Sequence, residues 1–243
     1  MTYCLAIGVQ EGLVFASDSR THAGVDQIST YSKMHPFCRP GERSLAVLSA
    51  GNLATTQAVV RRLERDWAAA AEPSLATAPT LEDAAAYLGE LSTTLQRRSV
   101  EQAGPSSGVS VEATFLIGGQ IGGEAMGSFL VYPEGNFIAP PPRHPFLQIG
   151  ETKYGRPILD RIITPELPLA RAATCALLSI DSTMRSNLSV GPPVELLVYG
   201  RDSLAPGRRS AFEGDDPYFA GLRQSWRDGL QRLFDELPAP PLS

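Results

Sequence analysis

The chain has 243 residues, 43% hydrophobic and 19% charged, which is enough apolar material for a buried core and excludes a disordered chain. Its formal net charge of -5, with no basic run, argues against nucleic acid as a partner. Three cysteines without metal-ligand spacing, no apolar run of membrane-spanning length and no secretory leader pattern create the expectation of a cytoplasmic protein with reduced thiols, no metal and no membrane partner.

The first elements are readable at once. Tyr3–Val9 alternates large and small apolar residues with the period of a strand, and Leu13–Ser17 answers it across Gln10-Glu11-Gly12. After the polar loop "THAGVDQISTYS", a third strand is expected from Lys33 to Cys38, a turn at "RPGER", and a fourth strand over Ser44–Gly51. Asn52 then caps a helix whose apolar side carries Leu53, Val59, Val60, Leu63 and Trp67. A second helix opens at "PTLED", with Thr80 and Asp83 in capping positions, and carries Leu81, Leu88, Leu91 and Leu95 to about Arg98. "QAGPSSGVS" reads as a flexible loop. Two strands and a turn follow in "ATFLIGGQIGGEAMGSFLVYPEGNF", then a stiff corner at "APPPRHP". Ile158–Ile163 and Leu169–Met184 read as helices, "PVELLVYG" as a last central strand, Asp216–Leu237 as a terminal helix, and residues 238–243 as a frayed tail. Helix pairs alternating with antiparallel strands predict an α+β chain of one domain, 1–243, with two packed sheets and helix layers outside.

The opening hairpin brings distant residues together. With a two-residue turn at Gln10-Glu11, facing residues have numbers that sum to twenty-one, so Tyr3 faces Asp18 and Thr2 faces Ser19. Removal of the initiator Met, expected before a small residue, would leave Thr2 with a hydroxyl and a free α-amine on one residue. An α-amine ionises near pH 7.7–8.0 and is a known activator of a terminal Thr hydroxyl. Lys33 would lower the hydroxyl's pKa, and Asp18 would hold Lys33 charged and oriented. On this reading, loss of Lys33 removes activity and leaves the fold intact.

Met-Thr at the start, "ASDSR" ending the second strand, "KMHPF" in the third and "SAGNLATT" entering the first helix resemble the proteasome β-type peptidases, which are N-terminal nucleophile hydrolases. "GLVFASDSRT" and "MRSNLSVGPPVELLVY" are similar to the bacterial ancestral β-subunit branch of that family. The resemblance implies a four-layer αββα sandwich and a threonine peptidase working through an acyl-enzyme on Thr2, with Asp18 and Lys33 completing the triad. It gives the backbone N–H of Gly51 the oxyanion hole, and it implies self-assembly into a ring-like or open helical homo-oligomer acting on peptide or protein substrates. No cofactor is expected, and an unfoldase partner is left open. The helices over Leu53–Trp67 and Leu81–Leu95 are candidate contact surfaces between copies. Two stretches depart from the family pattern. Glu151 follows Gly150 where a Ser is usual, and "RSNLSVGPP" replaces an Asp-x-x-Ser-Gly segment, leaving Ser189 as a candidate helper for the terminal amine. An amidohydrolase for a small or unusual amide, or a scaffold kept for assembly, are the competing readings.

Overall fold

Strand alternation at the amino terminus serves two cores at once. β1 (Tyr3–Val9) and β2 (Gly12–Asp18) pair with Cys4 opposite Ser17 and Val9 opposite Gly12, the register expected from a two-residue turn. Tyr3, Leu5, Ile7, Val14 and Ala16 point to one side of this hairpin, and Cys4, Ala6, Leu13 and Phe15 to the other. Both sides are covered, so both strands are buried almost throughout.

The computed structural model describes residues 1–22, 28–103 and 110–241. Parts of "THAGVDQISTYS" and "QAGPSSGVS", and the end of the tail, therefore lie outside the described residues. The remaining strands are β3 (Arg20–His22), β4 (Ile28–Thr30), β5 (Met34–Arg39), β6 (Arg43–Gly51), β7 (Ala113–Ile121), β8 (Gly127–Val131), β9 (Phe137–Ile138), β10 (Phe146–Gly150), β11 (Val194–Gly200) and β12 (Arg208–Phe212). The helices are α1 (Leu53–Ala68), α2 (Leu81–Ala103), α3 (Arg156–Ile162), α4 (Leu169–Ser186) and α5 (Pro217–Glu236). One antiparallel sheet has the order β10-β1-β2-β11-β12 and the other β5-β6-β7-β8-β9, with β3-β4 a separate small hairpin.

Three apolar layers give the αββα arrangement. Phe15, Leu13, Leu48, Leu116, Leu147 and Leu197 fill the space between the sheets. Tyr3, Leu5, Leu159, Cys175, Ile180 and Phe219 join the first sheet to α3, α4 and α5. Val47, Val59, Leu63, Leu88, Phe115 and Ile117 join the second sheet to α1 and α2. The apolar faces of α1 and α2, expected to be available for contacts between copies, are thus largely consumed within the chain's own core.

Helix starts follow the caps. Asn52 accepts from the Thr55 backbone N–H at 3.1 Å, Thr80 Oγ1 from that of Asp83 at 3.0 Å, and Asp216 from that of Phe219 at 2.9 Å. Buried Asp181 on α4 ties down α5 through Arg223 at 2.6 Å and holds Arg185 at 3.2 Å. Several elements differ from expectation. α2 runs on to Ala103, the polar loop contains β3 and β4, and β9, β10 and β12 are additional strands, so β11 is central but not last.

Phe15 links the sheets directly, its ring lying over Gly118 where no side chain intervenes. Phe15→Ala is expected to cost about 3–5 kcal/mol by urea denaturation, as loss of a buried aromatic with a residual cavity. Thr80→Ala, which removes only a cap, is expected to cost about 1 kcal/mol.

Candidate active site

Asp18, at the end of β2, is closed off from solvent, and three donors converge on it. Its Oδ1 accepts from Lys33 Nζ at 2.6 Å and from the Tyr3 backbone N–H at 3.0 Å. Its Oδ2 accepts from the Gly191 backbone N–H at 3.2 Å. Lys33, just before β5, is only 6% exposed and also donates to the Arg20 carbonyl at 2.8 Å. Burial pushes the Asp18 carboxyl up, while Lys33 and the two backbone donors pull it down. The two form a buried ion pair, so loss of Lys33 is not expected to leave the fold intact as the sequence reading had it.

Thr2 precedes β1 by one residue, and its carbonyl accepts from the Glu151 backbone N–H at 2.7 Å. The approach is close because Gly150, paired with Tyr3, has a φ of +81°, and a Cβ there would run into the Thr2 carbonyl. The Met1 α-amine lies in the same neighbourhood. Burial and the Lys33 charge hold it below its ordinary value of 8.0, and Asp18 and Glu151 oppose them.

Thr2, Lys33 and Gly51 line one cavity of about 310 Å³, with Thr21, Tyr31, Ser49 and residues of α1 forming its walls. Gly51 ends β6 with a φ of +115°, and a Cβ there would collide with the Glu112 carbonyl, so the strand-to-helix corner needs glycine. His35 also lines the cavity, and burial lowers its pKa to about 4, which keeps it neutral. Beside it, buried Glu195 accepts from Ser32 Oγ at 2.6 Å and pairs with Arg209. Among the described residues no three His, Cys, Asp or Glu side chains are grouped to hold a metal.

Among the described residues the Ser189 hydroxyl makes no hydrogen bond to this constellation, and its backbone N–H donates to Asn187 Oδ1 at 3.0 Å. Its neighbours do reach the site. Gly191 donates to Asp18, and Asn187 Nδ2 donates to Glu151 Oε2 at 3.1 Å. Tyr3 is anchored below the terminus through its phenol, which is 2.7 Å from Ser179 Oγ and accepts from Gln148 Nε2 at 2.5 Å. Gly191, Glu151, His35 and Gln148 were not assigned from sequence. Only Glu151 and Asn187 carried a signal there, as departures from the family pattern.

No family model matches the chain and no curated protein matches it. Solved structures do. The chain is similar to Anbu, the ancestral β-subunit, from Yersinia bercovieri, at 45% identity over 99% of each chain with a TM-score of 0.92. It is similar to the Pseudomonas aeruginosa Anbu complex, solved as a helical assembly, at 46% identity over 99% of this chain and 98% of that one, TM-score 0.92. A Gly-1 mutant of Anbu from Hyphomicrobium sp. strain MC1 matches at 42% identity over the full length of both chains, TM-score 0.91.

Lys33→Met should destabilise the fold by about 3–5 kcal/mol at pH 7, because Asp18 keeps a buried charge without its cation. In that variant the folded state raises the Asp18 pKa above its unfolded value, so acidification protonates Asp18 and the deficit shrinks. Urea denaturation of both proteins at pH 7 and pH 4.5 checks it. His35 makes the opposite contribution. Its folded pKa near 4 lies below the unfolded 6.5, so stability falls as pH drops through that window, by about 3 kcal/mol at most. His35→Gln should flatten that part of the stability profile.

Proposed function

The chain belongs to the Anbu family of proteasome-like ancestral β-subunits, and on that premise we propose that it is a threonine peptidase with Thr2 as its terminal nucleophile. The observation that carries this reading is the meeting of Thr2, Lys33 and Gly51 at one cavity, with Lys33 locked on buried Asp18 at 2.6 Å. Once Thr2 is the first residue, its α-amine takes the hydroxyl proton as Oγ1 attacks a substrate carbonyl. Burial and Lys33 hold the Met1 α-amine, one residue further out, below its ordinary value, and the same surroundings would favour a neutral amine on Thr2, the state a general base needs. The backbone N–H of Gly51 receives the developing oxyanion. The ammonium then protonates the departing amine, leaving a Thr2 ester that water hydrolyses. Asp18 keeps Lys33 charged and aimed throughout. An amide outside the peptide class would follow the same steps, so a panel of peptide and non-peptide amides separates the two substrates.

Self-assembly belongs to the proposal as well. The similar Pseudomonas aeruginosa protein was solved as a helical assembly, and α5 of this chain leaves Leu230, Leu233 and Phe234 exposed, with exposed Leu237 just past its end. A helix that buries only Phe219 leaves most of its apolar stripe for another surface. An open homo-oligomer in the cytoplasm is the form this reading gives the protein.

An uncleavable residue before Thr2 turns the amine into an amide with no basic lone pair. Turnover should fall by at least about 10²–10⁴-fold, the usual worth of general-base assistance. Thr2→Ser should keep part of the activity and Thr2→Ala none, measured on fluorogenic peptides with mass analysis of the terminus. Unchanged turnover with the extension present would overturn the mechanism.

A further inference from the structure

Asp18 has little capacity left for the terminal amine. Three donors already occupy its two oxygens, out of about four acceptor positions that a carboxylate offers. Lys33 is a cation and cannot accept. Glu151 is the remaining charged group acting on the Met1 α-amine, alongside Lys33 leading into β5 and Asp18 on β2. Its place is defined twice. Its backbone N–H holds the Thr2 carbonyl at 2.7 Å, and its Oε2 accepts from Asn187 Nδ2 at 3.1 Å. Its Oε1 has no hydrogen-bond partner among the described residues. Loss of Met1 moves the amine one residue inward, onto the very residue whose carbonyl Glu151 already holds.

We propose that Glu151, oriented by Asn187, is the positioning residue for the Thr2 amine: its free carboxylate oxygen accepts an N–H of the α-ammonium and turns the nitrogen toward the residue's own hydroxyl. The inference rests on Thr2 being the terminal nucleophile. Asn187 is neutral and donates, so it orients the carboxylate without cancelling its charge. At the Met1 α-amine, one residue further out, the Glu151 charge acts with Asp18 against burial and Lys33, and the same opposition would act on an amine carried by Thr2. With Lys33 alone the amine would be neutral but unoriented. With Glu151 it has an acceptor that orients the neutral amine and holds it more strongly once the hydroxyl proton has made it an ammonium.

The test reads the amine directly. The chain is first weighed to establish loss of Met1, and the rate of trace acetylation of the terminal amine by acetic anhydride is then followed against pH. In Glu151→Gln the midpoint should move about one pH unit lower, as expected for removing a nearby opposite charge. Glu151→Asp should restore part of the shift, and Asn187→Ala should move the midpoint the same way by less. The acid limb of kcat/KM should follow these midpoints. A chain that keeps Met1 overturns the Thr2 reading and this inference with it. Met1 lost and a Glu151→Gln midpoint equal to or above the wild-type one overturns the inference alone.

Discussion

One ion pair shut away from water organises the site. A carboxylate with no exposure costs several kcal/mol to desolvate, and Asp18 is offset only because Lys33 and two backbone N–H groups reach it together. Each donor belongs to a different part of the chain. Tyr3 follows Thr2, Lys33 leads into the second sheet, and Gly191 leads into β11. The carboxylate therefore fixes the terminus, the cation and the seam between sheets with the same two oxygens. Pairing of Val194 with Asp18 in the β2–β11 ladder is what carries Gly191 into range.

The cavity lies where the ends of several elements converge. β6 ends at Gly51, α1 begins after Asn52, and β5 begins after Lys33, so the walls come from element ends braced by the layers behind them. The wall nearest His35 is braced by charge. Glu195 on β11 accepts from Ser32, and Arg209 on β12 reaches both. A buried glutamate satisfied in this way ties the lead into β5 to the opposite sheet. The opposite wall, Gln57, Val60 and Arg61 of α1, is held by the apolar packing of Val59 and Leu63 beneath it.

Legibility from sequence followed the strength of local signals. A two-residue turn fixes register, so the meeting of the amino terminus with Asp18 could be read from spacing alone. Asn52, Thr80 and Asp216 announce their helices through short side chains that reach backbone N–H groups. Other elements had no such signal. "FLQIG" is too short for a period to emerge between a proline corner and a glycine, yet it forms the edge strand that holds Thr2. "RRSAF" reads as polar because β12 is a half-exposed edge. β3 and β4 have three residues each. The pairing of Lys33 with Asp18 was expected but its depth of burial was not, since burial of a lysine depends on Asp18 and Arg20 and not on its neighbours in sequence. The link from Asn187 to Glu151 spans two loops whose approach no local pattern encodes.

The bond from Gly191 to Asp18 also sets an order of events during synthesis. The β1–β2 hairpin leaves the ribosome long before the segment that covers it, because β10 and β11 flank it on either side in the sheet. At a translation rate of about 5–20 residues per second, the interval between Thr2 and Gly191 is roughly 10–40 s. Until then Asp18 lacks the Gly191 donor at Oδ2 and β2 has no partner on its far side from β1. The residues around Asp18 stay uncovered on that side through the interval, and their network closes only when the chain is nearly finished.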